Sequence, residues 1–115
     1  MQQLVFVYGT LRHGQSNHHL LVQSEWLGNY ATPPLYSLYD LGPYPAVVDG
    51  HSVIYGEVYR VDDATLQQLD ILEDIPVMYR REQIETPFGL AWMYLYQETL
   101  QAQTLISSGD WCQKV

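Results

Sequence analysis

The stretch that most constrains this chain is Leu4-Val5-Phe6-Val7-Tyr8-Gly9-Thr10-Leu11-Arg12. Four apolar residues lead into an aromatic, then a Gly-Thr pair, an apolar residue and a base. The run from Leu4 to Tyr8 is rich in β-branched and aromatic types and too short for a helix, which predicts a buried strand. Gly9 ends it. A glycine at that point can take φ > 0 and lets a ligand approach the backbone closely. Successive N–H groups in such a turn can form a small anion cradle, although a core strand followed by an ordinary turn reads the same way.

A chain of 115 residues suits one domain, spanning 1–115. With 47% hydrophobic and 16% charged residues it can bury a real core. Ten tyrosines and three tryptophans favour strands and a core or pocket with polar tips. The net charge of −8, with only five Lys and Arg, argues against nucleic acid as a partner. No apolar stretch reaches the roughly 18 residues needed to span a bilayer, so no membrane partner is expected. The apolar start lacks a basic flank and stops at Tyr8, unlike a secretory leader. Cys112 is single and has no intramolecular disulfide partner. A reducing, cytoplasmic setting is the simplest expectation.

After the first turn, Gly14, Ser16 and Asn17 mark a loop, and Ser16 or Asn17 is placed to cap a short helix containing Leu20, Leu21 and Val22. His13, His18 and His19 lack an i, i+4 pair and an acidic neighbour before Glu25. They read as solvated loop residues, and no metal site is expected. Short strands are predicted over 26–31, 35–41 and 46–48, separated by Pro33-Pro34 and by Gly42-Pro43-Tyr44-Pro45. Tyr44, held between two prolines, suits a surface loop or a pocket wall. Val53 to Val61 is the longest strand, closely preceded by the Asp49-Gly50 turn. It places Glu57 on the tyrosine face, at an exposed edge or bonded to tyrosine hydroxyls.

Asp62-Asp63 signals a helix N-terminus. The helix over 64–73 carries Leu66, Leu69 and Leu72 as its apolar stripe. Glu73, four residues after Leu69 and seven after Leu66, emerges from the buried side at the C-terminal end. Both the negative pole of the helix dipole and burial disfavour a charged carboxylate there. Such an acid needs a partner or a task, and Arg80 and Arg81 are the available partners. A hairpin follows, with strands over 78–86 and 90–96 around a Thr86-Pro87-Phe88-Gly89 turn. Ser107-Ser108-Gly109-Asp110-Trp111 makes a last turn whose aromatic can fold back onto the body. The fold class expected is α+β, with mostly antiparallel strands curled toward a small barrel and one main helix.

Taken together, several segments resemble the γ-glutamylcyclotransferase superfamily in its AIG2-like branch. They are Val7-Tyr8-Gly9-Thr10-Leu11-Arg12, Tyr44-Pro45-Ala46, Gly56-Glu57-Val58-Tyr59, Leu69-Asp70-Ile71-Leu72-Glu73 with Tyr79-Arg80, Ala91 to Tyr96, and Ser108-Gly109-Asp110-Trp111. Each is weak, but their order and spacing are specific and cover nearly the whole chain. The resemblance implies a compact mixed barrel with a pocket at one end. It implies that Tyr8, Gly9, Thr10 and Leu11 line that pocket, their amides holding a γ-glutamyl or 5-oxoproline group. It further implies Glu73 as general acid/base and Tyr79 as a pocket residue. Some members lack the glutamate, and this chain keeps it.

The reaction so implied needs no metal or organic cofactor. The α-amino group of a γ-glutamyl amide attacks its own γ-carbonyl, and proximity supplies much of the rate. One carboxylate with a pKa raised by burial can take and return the proton. The expected partner is a small γ-glutamyl molecule, and the expected state a monomer or weak homodimer. The alternative is a non-catalytic module that senses a small γ-glutamyl or anionic metabolite in the same pocket. A Cys-His hydrolase built on Cys112 has no preorganised base in the sequence.

Overall fold

The computed structural model describes residues 2–100 and 103–113. Eight strands and one α-helix follow in chain order: β1 Gln2–Val7, β2 Glu25–Ala31, β3 Tyr36–Asp40, β4 Pro45–Asp49, β5 Tyr55–Asp62, α1 Asp63–Leu72, β6 Tyr79–Thr86, β7 Gly89–Tyr96 and β8 Thr104–Leu105. Two short 3₁₀ turns, His18–Leu21 and Trp111–Gln113, complete the secondary structure.

The strands form two open sheets. One has five strands in the order β2-β5-β1-β7-β6, the other three in the order β4-β3-β8. All pairings are antiparallel except β1 with β7. The class is therefore mixed α+β with one helix, as expected. No barrel closes among the described residues, because β2 and β6 remain the edges of the larger sheet.

β1 is central, and both its faces are covered. Side chains alternate across a strand, so Phe6 joins one core with Leu38, Val47, Val58, Met93 and Trp111. Val5 and Val7 join the other core with Leu21, Tyr59, Val61, Leu66 and Leu69. The five-stranded sheet thus lies between α1 and the smaller sheet. That explains the unbroken apolar run in β1, since a strand buried on both faces has no polar side to show.

α1 starts where Asp62 accepts the Thr65 N–H at 2.7 Å through its side chain. The loop over 12–21 differs from the expected cap. Asn17 precedes the 3₁₀ turn without a side-chain cap bond, and its amide donates instead to Thr10 Oγ1 at 2.9 Å. Val53 and Ile54 fall outside β5. The Ile54 N–H is taken by Thr32 Oγ1, and the Tyr55 N–H by the Gly109 carbonyl of the last turn. Trp111 does fold back and is buried. No helix among the described residues is long and apolar enough to cross a membrane.

Candidate functional site

At the end of β1 the chain turns through Tyr8, Gly9, Thr10 and Leu11. These four line a recess of about 30 Å³ together with Pro45 from β4, Glu73 from the end of α1, Tyr79 from β6 and Tyr94 from β7. The six residues singled out in the sequence therefore meet at one cavity. Tyr44 joins its wall, which decides between the two readings of that residue.

Gly9 is required for a reason other than the expected one. It is not in the left-handed region. A Cβ there would stand 2.6 Å from Pro45 Cγ and 2.8 Å from its Cδ, so glycine lets the Pro45 ring close over the turn. The turn itself is fastened by Arg12 N–H to the Gly9 carbonyl (3.0 Å) and Asn17 N–H to the Thr10 carbonyl (2.8 Å). The N–H groups of Gly9, Thr10 and Leu11 have no acceptor among the described residues. Unpaired main-chain donors of this kind are what an anion cradle consists of.

Three buried tyrosines surround the recess with their protons already committed. Tyr8 donates to the Tyr94 carbonyl (2.6 Å), Tyr79 to the Pro45 carbonyl (2.6 Å) and Tyr94 to Asp70 Oδ1 (2.8 Å). Burial raises all three hydroxyl pKa values. For Tyr8 and Tyr79 the phenolic groups nearby and the Glu73 charge push further in the same direction, and for Tyr94 the Asp70 bond does. These groups stay protonated and act as fixed dipoles.

Glu73 caps α1 at its C-terminal end, with its N–H on the Leu69 carbonyl. Its side chain makes no ion pair or hydrogen bond among the described residues. The two arginines expected as partners are taken elsewhere. Arg81 grips Asp70 through Nε (2.9 Å) and Nη2 (3.1 Å) and stacks over Trp92 at 4.3 Å, while Arg80 bonds Glu82. Burial, and secondarily the Asp70 charge one helical turn earlier, push the Glu73 pKa up to about 7. A carboxyl poised near neutrality can both accept and return a proton.

Asp70 was missed as a site residue. The signal was present, since acids at i and i+3 share a helix face, but which of the two the arginine would neutralise was not.

A second carboxylate, Glu57, lines a larger open cleft of about 490 Å³ with His13, His18, Trp26 and Tyr59. It accepts from His13 N–H (3.0 Å), Tyr59 hydroxyl (2.8 Å) and Arg12 Nε (3.1 Å). Of the two readings of Glu57, the structure shows the bond to a tyrosine hydroxyl, on an interior strand of the five-stranded sheet. Arg12 continues to Asp110 Oδ1 at 2.6 Å, tying the first turn to the last. His18 Nδ1 lies 3.0 Å from the Leu11 carbonyl. No group of three or more His, Cys, Asp or Glu is placed to hold a metal ion among the described residues.

With that geometry in hand, the chain can be set beside known proteins. Residues 5–113 match the family described as gamma-glutamyl cyclotransferase, AIG2-like. A Vibrio cholerae protein that bears the γ-glutamylcyclotransferase name in provisional form is 65% identical over 115 residues, covering 100% of both chains. The γ-glutamylcyclotransferase family protein YtfP of Escherichia coli is 48% identical over 107 residues, 93% of this chain and 94% of its own. Its solution NMR structure superposes with a TM-score of 0.80 at 47% identity, over 95% of this chain and 96% of that one. An uncharacterized protein from Pyrococcus horikoshii has a TM-score of 0.83 at 32% identity, over 95% and 89% of the two chains.

Proposed function

The chain belongs to the AIG2-like γ-glutamyl cyclotransferase family, and from that premise we propose that it converts a small γ-glutamyl amine or amino acid into 5-oxoproline and the free amine. The observation that carries this reading is Glu73, poised near neutrality, without a cationic partner, beside a turn with three unused N–H donors.

The steps balance with this chain's residues alone. The ionised Glu73 carboxylate takes a proton from the substrate's α-ammonium. The freed nitrogen attacks the γ-carbonyl carbon and closes a five-membered ring. Glu73 returns the proton to the departing nitrogen, and the γ-carbon–nitrogen bond breaks. The second proton lost by the α-nitrogen also ends on the amine, which leaves as an ammonium ion. The N–H groups of Gly9, Thr10 and Leu11 hold the substrate's oxygens, where a fixed donor is worth more than water. Tyr8 and Tyr79 keep the recess in shape, Tyr79 by anchoring the Pro45 wall. Folding the substrate so that nitrogen and carbonyl meet supplies much of the rate. The reading needs no cofactor, and its partner is a small molecule met in the cytoplasm by a monomer or weak homodimer.

Release of 5-oxoproline from a panel of γ-glutamyl amines, amino acids and peptides tests this. Turnover of at least one class is expected. Saturable binding of 5-oxoproline with no turnover across the panel would make the pocket a sensor of small γ-glutamyl or anionic metabolites instead.

A further inference from the structure

The larger cleft beside Glu57 takes no part in the reaction above. It shares no lining residue with the recess beside Glu73, and its volume of about 490 Å³ falls within the range of small-molecule sites. Its floor is one face of β2 and β5, and a bulge shapes that face. Trp26 pairs with Tyr59 and Asn29 with Glu57, three steps along β2 against two along β5. In a regular strand Trp26 and Asn29 would point to opposite faces. The extra residue between Trp26 and Gly28 turns both toward the face of Tyr59 and Glu57, while Leu27 packs into the opposite core. Gly28 suits that course, since a Cβ there would stand 2.5 Å from Phe88 Cζ.

Four rings border the cleft, those of Trp26, Tyr59, His13 and His18. The His18 ring lies 5.8 Å from that of Tyr59 and 5.2 Å from that of His13. Trp26 is 57% exposed, although tryptophan is on average a well-covered residue. No Lys or Arg lines the cleft, and its one carboxylate is Glu57. Arg12 does not cancel that charge, because the same guanidinium also bonds Asp110, which leaves the trio one negative charge in excess. The Glu57 oxygens already receive three donors, so a guest meets their field more than their hydrogen bonds. Ring faces beside a negative field suit a cation clad in carbon. The net charge of −8 adds long-range attraction for it.

We propose that this cleft is a second binding site, for a small organic cation with an alkylated ammonium group that lies against the Trp26 ring, over Tyr59 and Glu57. An anion would face Glu57 with no Lys or Arg to meet it. A neutral apolar guest would gain the rings and nothing from the charge. The site stands whether or not the recess beside Glu73 is a cyclotransferase centre.

Choline and its uncharged isostere 3,3-dimethylbutan-1-ol test this on the full chain, at mildly alkaline pH and constant ionic strength. Choline should bind saturably, with a Kd about tenfold below that of the isostere. It should move the indole N–H resonance of Trp26 and leave those of Trp92 and Trp111 in place. 5-Oxoproline should not compete. Trp26→Ala should weaken choline binding by about tenfold with little change in melting temperature, since the ring is largely exposed, and Trp26→Phe should restore most of the affinity. Absence of choline binding, equal affinity for the isostere, wild-type affinity in the folded Trp26→Ala variant, or displacement by 5-oxoproline would each overturn the assignment. So would a concentration-dependent dimer that Trp26→Ala dissociates, which would give this face to a second copy of the chain.

Discussion

Two glutamates sixteen positions apart in this protein have opposite surroundings. Glu57, on interior strand β5, is only 7% exposed and accepts from three donors. Burial alone would raise its pKa, but the His13 N–H, the Tyr59 hydroxyl and Arg12 outweigh it and hold the carboxyl below its ordinary range. Glu73, at the end of α1, receives no donor among the described residues, and burial with the Asp70 charge drives its pKa the other way. The first is a permanent anion that joins the first turn to the last through Arg12 and Asp110. The second can change charge near neutral pH. Divergent environments around chemically identical groups are how acid–base roles are divided.

The sharpest way to break this comparison is to neutralise each glutamate in turn. Glu73→Gln keeps size and hydrogen-bonding capacity but removes proton transfer. Turnover should fall by about 10²–10⁴-fold, with 5-oxoproline binding retained and stability held or raised. Full turnover by the folded variant, measured as 5-oxoproline release, would refute the mechanism. Glu57→Gln should do the reverse. It leaves Arg12 with Asp110 as its one counter-charge and weakens the bonds to Glu57, so it should lose about 1–3 kcal/mol in denaturant unfolding, while folded molecules keep turnover. A Glu57→Gln variant that is stable and inactive would move the chemistry to the larger cleft.

The pH dependence should separate the two acids as well. Glu73 has a folded pKa raised above its unfolded value, so its contribution to stability is present below about 4.5 and is lost as pH rises through about 7. Glu57 has a depressed folded pKa, so its contribution is present above about 4.5 and is lost as pH falls through the folded value. Relative to wild type, Glu73→Gln should therefore gain about 1–2 kcal/mol between pH 5 and pH 8. Unfolding curves at the two pH values check it, and a flat difference would mean that Glu73 is ionised throughout. In kinetics, kcat/KM should rise through an acid limb near 7, which Asp70→Asn should move to lower pH by removing the charge that raises Glu73.

The smallest effect expected concerns the cradle. Gly9→Val puts branched carbons where Pro45 already lies, so the wall must shift. We expect ligand affinity to fall by about tenfold, or 1.4 kcal/mol, with a smaller change in melting temperature. Wild-type affinity for 5-oxoproline in that variant would place the cradle elsewhere.

Much of this was readable from the residues because local rules act over a few positions. The apolar run before Gly9, the Asp62 cap and the Pro87-Phe88 hairpin all appear within one or two residues of their expected places, and of the expected leucine stripe Leu66 and Leu69 are buried while Leu72, in the last turn of α1, is exposed. β8 was not foreseen. It has only two residues and exists through its pairing with Tyr39 and Asp40, more than sixty positions earlier. The barrel expectation failed for a related reason: alternation shows which faces are buried, not whether the last strand finds the first.

Helical spacing alone predicts that Glu73 emerges on the buried side of α1, and the family resemblance implied its place beside the turn after β1. What that carboxylate is chemically depends on the assembled fold. Arg81 could have neutralised Glu73, but β6 carries it to Asp70, and the partner Glu73 lost is what leaves its pKa near 7. Gly9 likewise owes its identity to Pro45, on a strand of the other sheet. Charge state and close approach depend on neighbours brought together across the fold, and no window of sequence contains them.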